Sequence, residues 1–447
     1  MTATPNIGNI MTDEKEHPDI SFDLFSLPQF ESDMIDSKTI KIKPVAGAAT
    51  STGPFEFILP SQDKDYTLLP FTRLEGQVRV VKSNGDVLTG SEDLSVTNLF
   101  TTSLFRQIEC SVNNTEVIDQ SVGCHAYKAY LETLLTYGKD AKDTHLKTQF
   151  WMKDHGKVNA NAKTDNSGKS GYVDRQKMIE SSKIVNFSQQ LHIDFFNTRR
   201  LLPPGLSVKL RLLRNDDNFS LIAKTGSYKI EIIPHSLSLS LRKITPSLEI
   251  QKKHMQLLES GRNMFFPYQQ TKIVTNLVSA GSQSIYRNIC NGPLPSQIFM
   301  VMVDHAAFNS DVTQNPFFFQ HFKMTNFRFI VNGQSQPSEY FKPNFDNGNY
   351  LREYRNLIDC LGICFNNGSV DITPEEFKDG YFIMAYDACP ELCGGERKHL
   401  PKTGSIDFEM DLKEALAKPI TILAYMVFEK VLEVNGGDKS CTVKYLT

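Results

Sequence analysis

The feature that most constrains the fold is a pattern that occurs twice in the chain. Its first copy, Ser103–Gly138, holds alternating apolar residues at Ile108, Cys110 and Val112, then an asparagine pair, then a helical apolar face. Alternation of period two indicates a half-buried strand, and Asn-Asn after it indicates a β-hairpin. The helix face consists of Tyr127, Tyr130, Leu131, Leu134 and Leu135. Gly138 is predicted to end the helix in the left-handed conformation.

The second copy, Phe322–Gly362, repeats the order of strand, turn and helix. Asn332-Gly333 is a strong type I′ hairpin signal, and Gly362 follows the second helix face. The turn asparagines are 332 − 113 = 219 residues apart, and the helix pairs Tyr130-Leu131 and Tyr350-Leu351 are 350 − 130 = 220 residues apart. A period this long divides the 447-residue chain into two domains of ordinary size and is too long for a solenoid.

Short strand-like segments recur in both halves and predict an all-β chain; most alternate, and Ile298–Val303 and Ile422–Phe428 are continuous apolar runs. In the first half they are Ile40–Ile42, Phe55–Phe57, Val78–Val80, Leu191–Phe195, Leu206–Leu212 and Leu237–Leu241. In the second half they are Ile298–Val303, Phe327–Val331, Ile406–Leu412, Ile422–Phe428 and Thr442–Leu446. The sequences LHIDF at Leu191–Phe195 and SIDFE at Ser405–Glu409 also correspond, which predicts that the halves match near their ends.

These patterns predict an all-β fold of two tandem jelly-roll domains with short helices and long loops. Pro246 marks the boundary, because proline donates no hydrogen bond to a sheet. The predicted units are an N-terminal arm at 1–34, a first jelly roll at 35–245 and a second jelly roll at 246–447. The apolar segment Phe22–Pro28 either fixes the arm to this chain or a neighbour, or is one packed cluster in a disordered terminus. Lys153–Ser170 is predicted to be an exposed loop.

Composition argues for a soluble globular protein, with 40% hydrophobic and 22% charged residues. The net charge of −3 excludes a broad basic field for nucleic acid and leaves only a local basic patch open. Such a patch would use Arg199, Arg200, Arg211, Arg214, Arg242 and Lys243. We prefer a solvated or intersubunit face for these residues, because few aromatic residues are interleaved with them. No apolar stretch resembles a secretory signal or reaches the ~20 residues of a membrane span.

Candidate chemical sites are weak. The pairs Cys360/Cys364 and Cys389/Cys393 have a spacing that permits zinc binding, but Cys360 lies on the apolar helix face, where cysteine acts as a small hydrophobe. Cys124-His125 is the best nucleophile candidate, yet no strand-turn-helix elbow surrounds it. We therefore predict no catalytic, cofactor-binding or metal-binding residues and expect that the chain is not an enzyme.

The order of several motifs resembles the double jelly-roll major capsid protein of Polinton (Maverick) elements and the related adintoviruses. In the first half these motifs are DLFSLP from Asp23, AYLETLLTYG from Ala129 and LHIDFFNTRRLLPPG from Leu191. In the second half they are GPLP from Gly292, Val303-Asp304, NPFFFQHF from Asn315, and VNG followed by GNYLREY up to Tyr354. The cysteines from Cys360 to Cys393 and the Lys153–Ser170 insertion depart from the family pattern.

The resemblance implies a capsid subunit of an icosahedral double-stranded DNA virus or virus-like transposon, in which three chains form a pseudo-hexameric capsomer. Its implied partners are two further copies, neighbouring capsomers, and penton and minor capsid proteins. No sequence-specific nucleic acid or membrane span is expected. The implied location is the virion, assembled inside the host cell without a signal peptide. A jelly-roll carbohydrate-binding protein is the alternative, and a jelly-roll enzyme is a third possibility without a supporting constellation.

Overall fold

The structure is a computed structural model that describes residues 33–62, 64–90, 92–118, 123–156, 171–224, 226–363, 368–389 and 401–446. Several predictions fall outside these ranges: those on the N-terminal arm with Phe22–Pro28, on most of the polar insertion, and on Cys364 and Cys393.

The first half contains eleven strands and four α-helices in the described ranges. The strands are β1 Met34–Ile42, β2 Phe55–Leu59, β3 Tyr66–Lys82, β4 Leu94–Val96, β5 Phe105–Val112, β6 Thr115–Glu116, β7 Val185–Gln190, β8 Val208–Arg214, β9 Leu221–Ala223, β10 Tyr228–Ile232 and β11 Ser238–Pro246. The helices are α1 Phe100–Ser103, α2 His125–Thr136, α3 Lys139–Asp143 and α4 Gly171–Ile179. Short 3-10 helices occupy His145–Gln149, Glu180–Ser182, Asp194–Asn197 and Asp217–Ser220.

The second half contains nine further strands in the described ranges. They are β12 Met264–Val278, β13 Ser284–Pro293, β14 Gln297–Asp304, β15 Met324–Val331, β16 Gln334–Phe341, β17 Met384–Asp387, β18 Thr403–Leu412, β19 Ile420–Val434 and β20 Cys441–Tyr445. Helix α5 Leu248–Glu259 connects the halves, and α6 His305–Phe308, α7 Leu351–Cys360 and α8 Pro374–Lys378 follow.

Two main antiparallel sheets form each half. Sheet I has the order β1-β11-β3-β10, with β7 also on β3, and sheet II has the order β2-β8-β5-β6. Sheet III has the order β12-β19-β14-β17, with β20 on β19, and sheet IV has the order β13-β18-β15-β16. Short strands β4 and β9 pair separately.

The two halves share one topology. When β4, β9, β10 and β20 are set aside as additions, eight strands remain in each half. Counted along the chain, one sheet contains the first, eighth, third and sixth strands, and the other contains the second, seventh, fourth and fifth. This is the double-sheet arrangement of a jelly roll. The prediction of two tandem jelly rolls is confirmed, while the boundaries of the three units stay a prediction.

Both predicted hairpin turns are confirmed. Asn113 and Asn114 have φ values of 46° and 68° and join β5 to β6. Asn332 and Gly333 have φ values of 50° and 78° and join β15 to β16. Positive φ at both central positions defines the type I′ turn, which matches the twist of the flanking strands. Local turn chemistry therefore fixes equivalent hairpins in the two jelly rolls.

The predicted strand at Leu191–Phe195 is wrong. The segment runs into the 3-10 helix Asp194–Asn197, and residues 191 to 196 are all buried, with no alternation. Its apolar side chains are buried on every side because it lies where the halves meet. Ser405–Glu409 lies in β18, whose counterpart in the first half is β8, so the LHIDF and SIDFE segments are not structurally equivalent.

The predicted ends of the repeated helices also need correction. Helix α2 ends at Thr136, and Gly138 has a φ of −76°, because the chain continues directly into α3 without a left-handed stop. Gly362 does adopt a positive φ of 69° after α7. Tyr130 lies inside α2 whereas Tyr350 precedes α7, so the 220-residue register does not hold in the helices.

Two further stretches differ from expectation. Lys153 and Asp154, at the start of the predicted exposed loop, are largely buried because both bind second-half partners. The polar segment after Pro246 forms helix α5, where the Ser247 hydroxyl accepts a hydrogen bond from the Ile250 amide. Such a cap satisfies one of the free amides of a helix start.

Candidate functional site

Aromatic residues of α2 join the two jelly rolls. The Tyr130 ring stacks on Phe317 with centroids 4.2 Å apart and contacts Trp151 at 5.4 Å and Phe319 at 5.7 Å. Tyr127 contacts Phe317 at 5.6 Å. Each such pair adds about 0.5–1.5 kcal/mol to the stabilisation from burying the rings. Helix α2 is therefore part of the second jelly roll's core although it belongs to the first half.

Side chains of the second half are likewise buried in the core of the first jelly roll. Phe266 and Tyr268 of β12, with Leu432 and Val434 of β19, are buried in the core of the first half. The Tyr268 hydroxyl donates a hydrogen bond of 3.1 Å to the Val117 carbonyl oxygen. Because each core contains side chains from the other half, the two jelly rolls are packed against each other through a shared core.

A buried charge network lies at the same junction. Lys128 Nζ is 2.8 Å from Asp194 Oδ1 and donates to the His192 carbonyl oxygen at 2.5 Å. Asp194 Oδ2 accepts a hydrogen bond of 3.0 Å from the Thr271 amide in β12. His192 Nδ1 lies 3.3 Å from Glu132 Oε2. The network thus connects α2, the 3-10 helix Asp194–Asn197 and sheet III.

Burial and neighbouring charges shift the pKa values in this network in opposite directions. Burial raises the pKa of Asp194, although Lys128 opposes this shift. Burial would also raise the pKa of Glu132, but His192 and Lys128 outweigh it and lower the value to about 2. Burial lowers the pKa of His125 well below its usual value. A buried network of this kind fixes geometry more than it adds net stability.

A second buried cation ties the halves together nearby. Arg175 Nη2 donates to both carboxylate oxygens of Asp154, at 2.8 and 3.0 Å, and Arg175 Nε donates to the Val96 carbonyl oxygen at 2.7 Å. From the second half, Asn315 Nδ2 donates to the Asp154 carboxylate at 3.3 Å, and the Tyr381 hydroxyl donates to its carbonyl oxygen at 2.7 Å. Asp154 is thus held from both halves.

The outer faces of sheets I and III differ in character. Across sheet III the register aligns Ile273, Tyr425, Phe299 and Ala385, one from each strand, and all four are buried. The Tyr425 hydroxyl bonds to Thr271, which also contacts Asp194, so this row faces the first half. Across sheet I the row in the equivalent strands is Lys41, Ser240, Arg73 and Gln190. These four side chains are polar and exposed or half-buried.

The sequence-predicted thiols that the structure describes are buried or half-buried. Cys124 is buried, and burial raises the pKa of its thiol to about 11, while Cys360 is buried with a pKa of about 12. Thiols with such values are almost fully protonated at neutral pH. Within the described ranges, no group of three or more His, Cys, Asp or Glu side chains is arranged to hold a metal. The absence of a catalytic or metal site stays a prediction.

Most of the candidate basic residues bind partners within the chain. Lys243 is buried and donates to the Pro60 carbonyl oxygen at 2.9 Å. Arg214 is paired with Asp217 at 2.7 Å, and Arg211 lies between Glu56 and Glu109 at 3.3 and 3.5 Å. Arg200 donates to the Phe265 carbonyl oxygen, and Arg242 to the Ser37 hydroxyl. Their charges are used largely within the chain.

The charged junction residues were missed in the sequence. The sequence does contain a signal for Lys128, which is the only basic residue in the apolar segment AYKAYL. The helix that contains this segment is buried on almost all sides. Lys142 gives a weaker signal, and its ammonium donates to the Leu134 and Val370 carbonyl oxygens at 2.9 and 2.6 Å. Arg175 and Asp154 have no signal, because their partners are distant in the chain.

Comparison with solved structures decides the fold. A chain in the cryo-EM structure of the Sputnik virophage superposes with a TM-score of 0.62 over 96% of this chain and 92% of its own length, at 10% sequence identity. The chain has the double jelly-roll fold. The mavirus major capsid protein is similar with a TM-score of 0.50, at 8% identity, over 99% of this chain and 97% of its own. At these identities the likeness is one of fold.

Sequence comparison adds one relative. The uncharacterized protein F54H12.2 of Caenorhabditis elegans is 20% identical over 400 residues, which cover 87% of this chain and 93% of that protein. No protein-family model matches the chain. None of the helices in the described ranges has both the length and the apolar character that a bilayer crossing requires.

Proposed function

We propose that this chain is a major capsid protein, three copies of which form a pseudo-hexameric capsomer of an icosahedral shell around double-stranded DNA. The observation that carries the proposal is the strand-for-strand equivalence of the two jelly rolls, which are joined by exchanged core residues. Two similar prisms in a fixed orientation approximate one third of a hexagon. Three chains therefore supply six prisms, and a ring of such contacts closes by three-fold symmetry.

The finer proposal is a capsid subunit of the Polinton (Maverick) or adintovirus type. Its support is the ordered set of sequence motifs described above, together with a fold shared with virophage capsid structures. In this proposal the units are an arm at 1–34 and jelly rolls at 35–245 and 246–447. The partners are two further copies, neighbouring capsomers, and penton and minor capsid proteins. The protein acts in the virion, is assembled inside the host cell and is not an enzyme.

Native mass spectrometry of the purified full chain tests the capsomer. The proposal predicts a smallest stable species of three times the 50.5 kDa subunit mass. An obligate assembly of this kind usually buries at least about 2,000 Å² at each interface, so the trimer is expected to persist at micromolar concentration. A well-folded monomer at that concentration would contradict the proposal. Binding of that monomer on a glycan array would instead support the carbohydrate-binding alternative.

A further inference from the structure

The two jelly rolls carry counterpart helices that differ in what covers them. Helix α2 follows the β5–β6 hairpin, and α7 follows the equivalent β15–β16 hairpin. In α2, ten of twelve residues are buried, because one side packs on its own jelly roll and the other on the second. In α7, three of ten residues are buried, namely Glu353, Leu357 and Cys360. The remaining side of α7, which bears Leu351, Arg352 and Arg355, is open in the described part of the chain.

An apolar residue marks this open side. Leu351, the first residue of α7, is 59% exposed. It is flanked by Arg352, whose guanidinium lies 5.1 Å from the Phe341 ring centre, and by Arg355, which pairs with Asp359 at 2.9 Å. The flanking charges are thus already held within the chain, whereas the leucine side chain contacts water. We call the exposed side of α7 around Leu351 the α7 face.

The outer faces of sheets I and III also differ in how far other parts of the chain cover them. The outer row of sheet III is buried beneath first-half residues, including the Asp194 segment. The equivalent row of sheet I, from Lys41 to Gln190, is exposed or half-buried in the described part of the chain. Tyr137, which follows α2, donates a hydrogen bond of 3.1 Å to Gln190 Oε1 and covers that end of the row. Within the residues that the structure describes, each chain thus contains one completed contact, one open sheet and one open helix face. The two open surfaces are the counterparts of the two that meet inside the chain.

We infer that the outer face of sheet I receives the α7 face of a second copy of this chain. This inference rests on the proposed trimer and identifies the surfaces that meet in it. The contact joins two different surfaces, so every copy both offers a helix face and receives one, and the ring closes without a free surface. The internal contact between α2 and sheet III is the template for the contact between chains.

The chemistry of the two contacts differs for a physical reason. The contact inside the chain is permanent, so its sheet face is apolar. The outer face of sheet I meets water until a second copy arrives, and it is accordingly polar, with Glu75 paired to Lys41 at 2.6 Å and Arg73 beside it.

The test compares two leucines that occupy the same helical position. Leu351 begins α7, and Leu248 begins α5 with an exposure of 66%. Aspartate at a helix start interacts favourably with the helix dipole, so Leu351→Asp and Leu248→Asp should both fold. We expect Leu351→Asp to raise the trimer dissociation constant about tenfold or more, because it places a charge in the interface core. Leu248→Asp should stay trimeric like the wild-type chain. Analytical ultracentrifugation and native mass spectrometry measure both.

A cross-linking experiment covers the case in which Leu351→Asp does not fold. The photoreactive residue p-benzoylphenylalanine is placed at position 351, and ¹⁴N- and ¹⁵N-labelled chains are mixed. The expected products are mixed-label cross-links from α7 to peptides of β3, β7 or β11. Three outcomes would overturn the assigned surfaces but not the trimer. They are a Leu351→Asp variant as trimeric as a trimeric wild type, equal disruption of the trimer by Leu248→Asp, and cross-links only within one chain. A monomeric wild type would overturn both.

Discussion

Replacing Lys128 with methionine tests the role of the buried charge network. The Lys128 side chain is 9% exposed and that of Asp194 is 4% exposed, so the substitution leaves a carboxylate without its counterion in a site closed to water. Removing one partner of a buried ion pair usually costs about 3–5 kcal/mol. For a unit of about two hundred residues, this corresponds to a fall of roughly 10 °C in melting temperature. The Thr271 amide remains as one donor to Asp194 and moderates the loss.

The chain carries its own reporter and control for this experiment. Trp151 is the single tryptophan and lies at the junction beside Tyr130, so its fluorescence follows separation of the halves. Lys413→Met is the control, because the Lys413 side chain is 55% exposed in its pair with Asp346 and such pairs contribute less than about 1 kcal/mol.

A double variant separates the loss of the pair from the loss of packing. Lys128→Met with Asp194→Asn should recover most of the stability, because an amide oxygen still accepts from Thr271 and no unpaired charge remains. Equal stability losses for Lys128→Met and Lys413→Met, or no recovery in the double variant, would refute the reasoning.

Three further predictions concern turns, titration and metal content. Gly333→Val should lower the free energy of unfolding by at least about 1 kcal/mol, because Gly333 has a φ of 78°. Gly333→Asn should lower it by less, because asparagine accepts positive φ. Equal melting temperatures for both variants would refute the turn assignment. Burial and, to a lesser extent, Lys378 lower the pKa of His321 to about 4, below its usual 6.5, so stability present above pH 6.5 should be lost as the pH falls toward 4. His321→Gln should melt with less acid sensitivity in that window, and an identical pH profile would count against the buried neutral imidazole. Protein purified without chelator should contain no stoichiometric zinc by elemental analysis, and one zinc per chain would show that the interpretation of the cysteine pairs is wrong.

Features that depend on neighbouring residues were predictable from the sequence. The turns at Asn113-Asn114 and Asn332-Gly333 follow from residues that accept positive φ. The strands beside them follow from alternation, because one face of each is buried. Together these local signals were enough to identify the repeat, and the repeat was enough to predict two tandem jelly rolls.

The junction was not predictable, because its contacts join residues distant in the chain. Lys142 and Val370 are 228 residues apart, and Lys153 and Glu376 are 223 residues apart. The Leu191–Phe195 segment alternates like a strand, yet burial on every side at the junction overrides that pattern. Helix α5 was also not predicted; it has no buried residue, and its start is identified by the Ser247 cap.

Electron microscopy of the purified full chain tests the proposed capsid role most directly. Negative-stain images should show particles with a hexagonal outline, and on concentration or co-expression with partner proteins these should form closed icosahedral shells. Class averages should show three-fold symmetry with six similar lobes, two from each chain. A uniform population of two-lobed monomers, with neither hexagonal particles nor shells under any of these conditions, would contradict the capsid function.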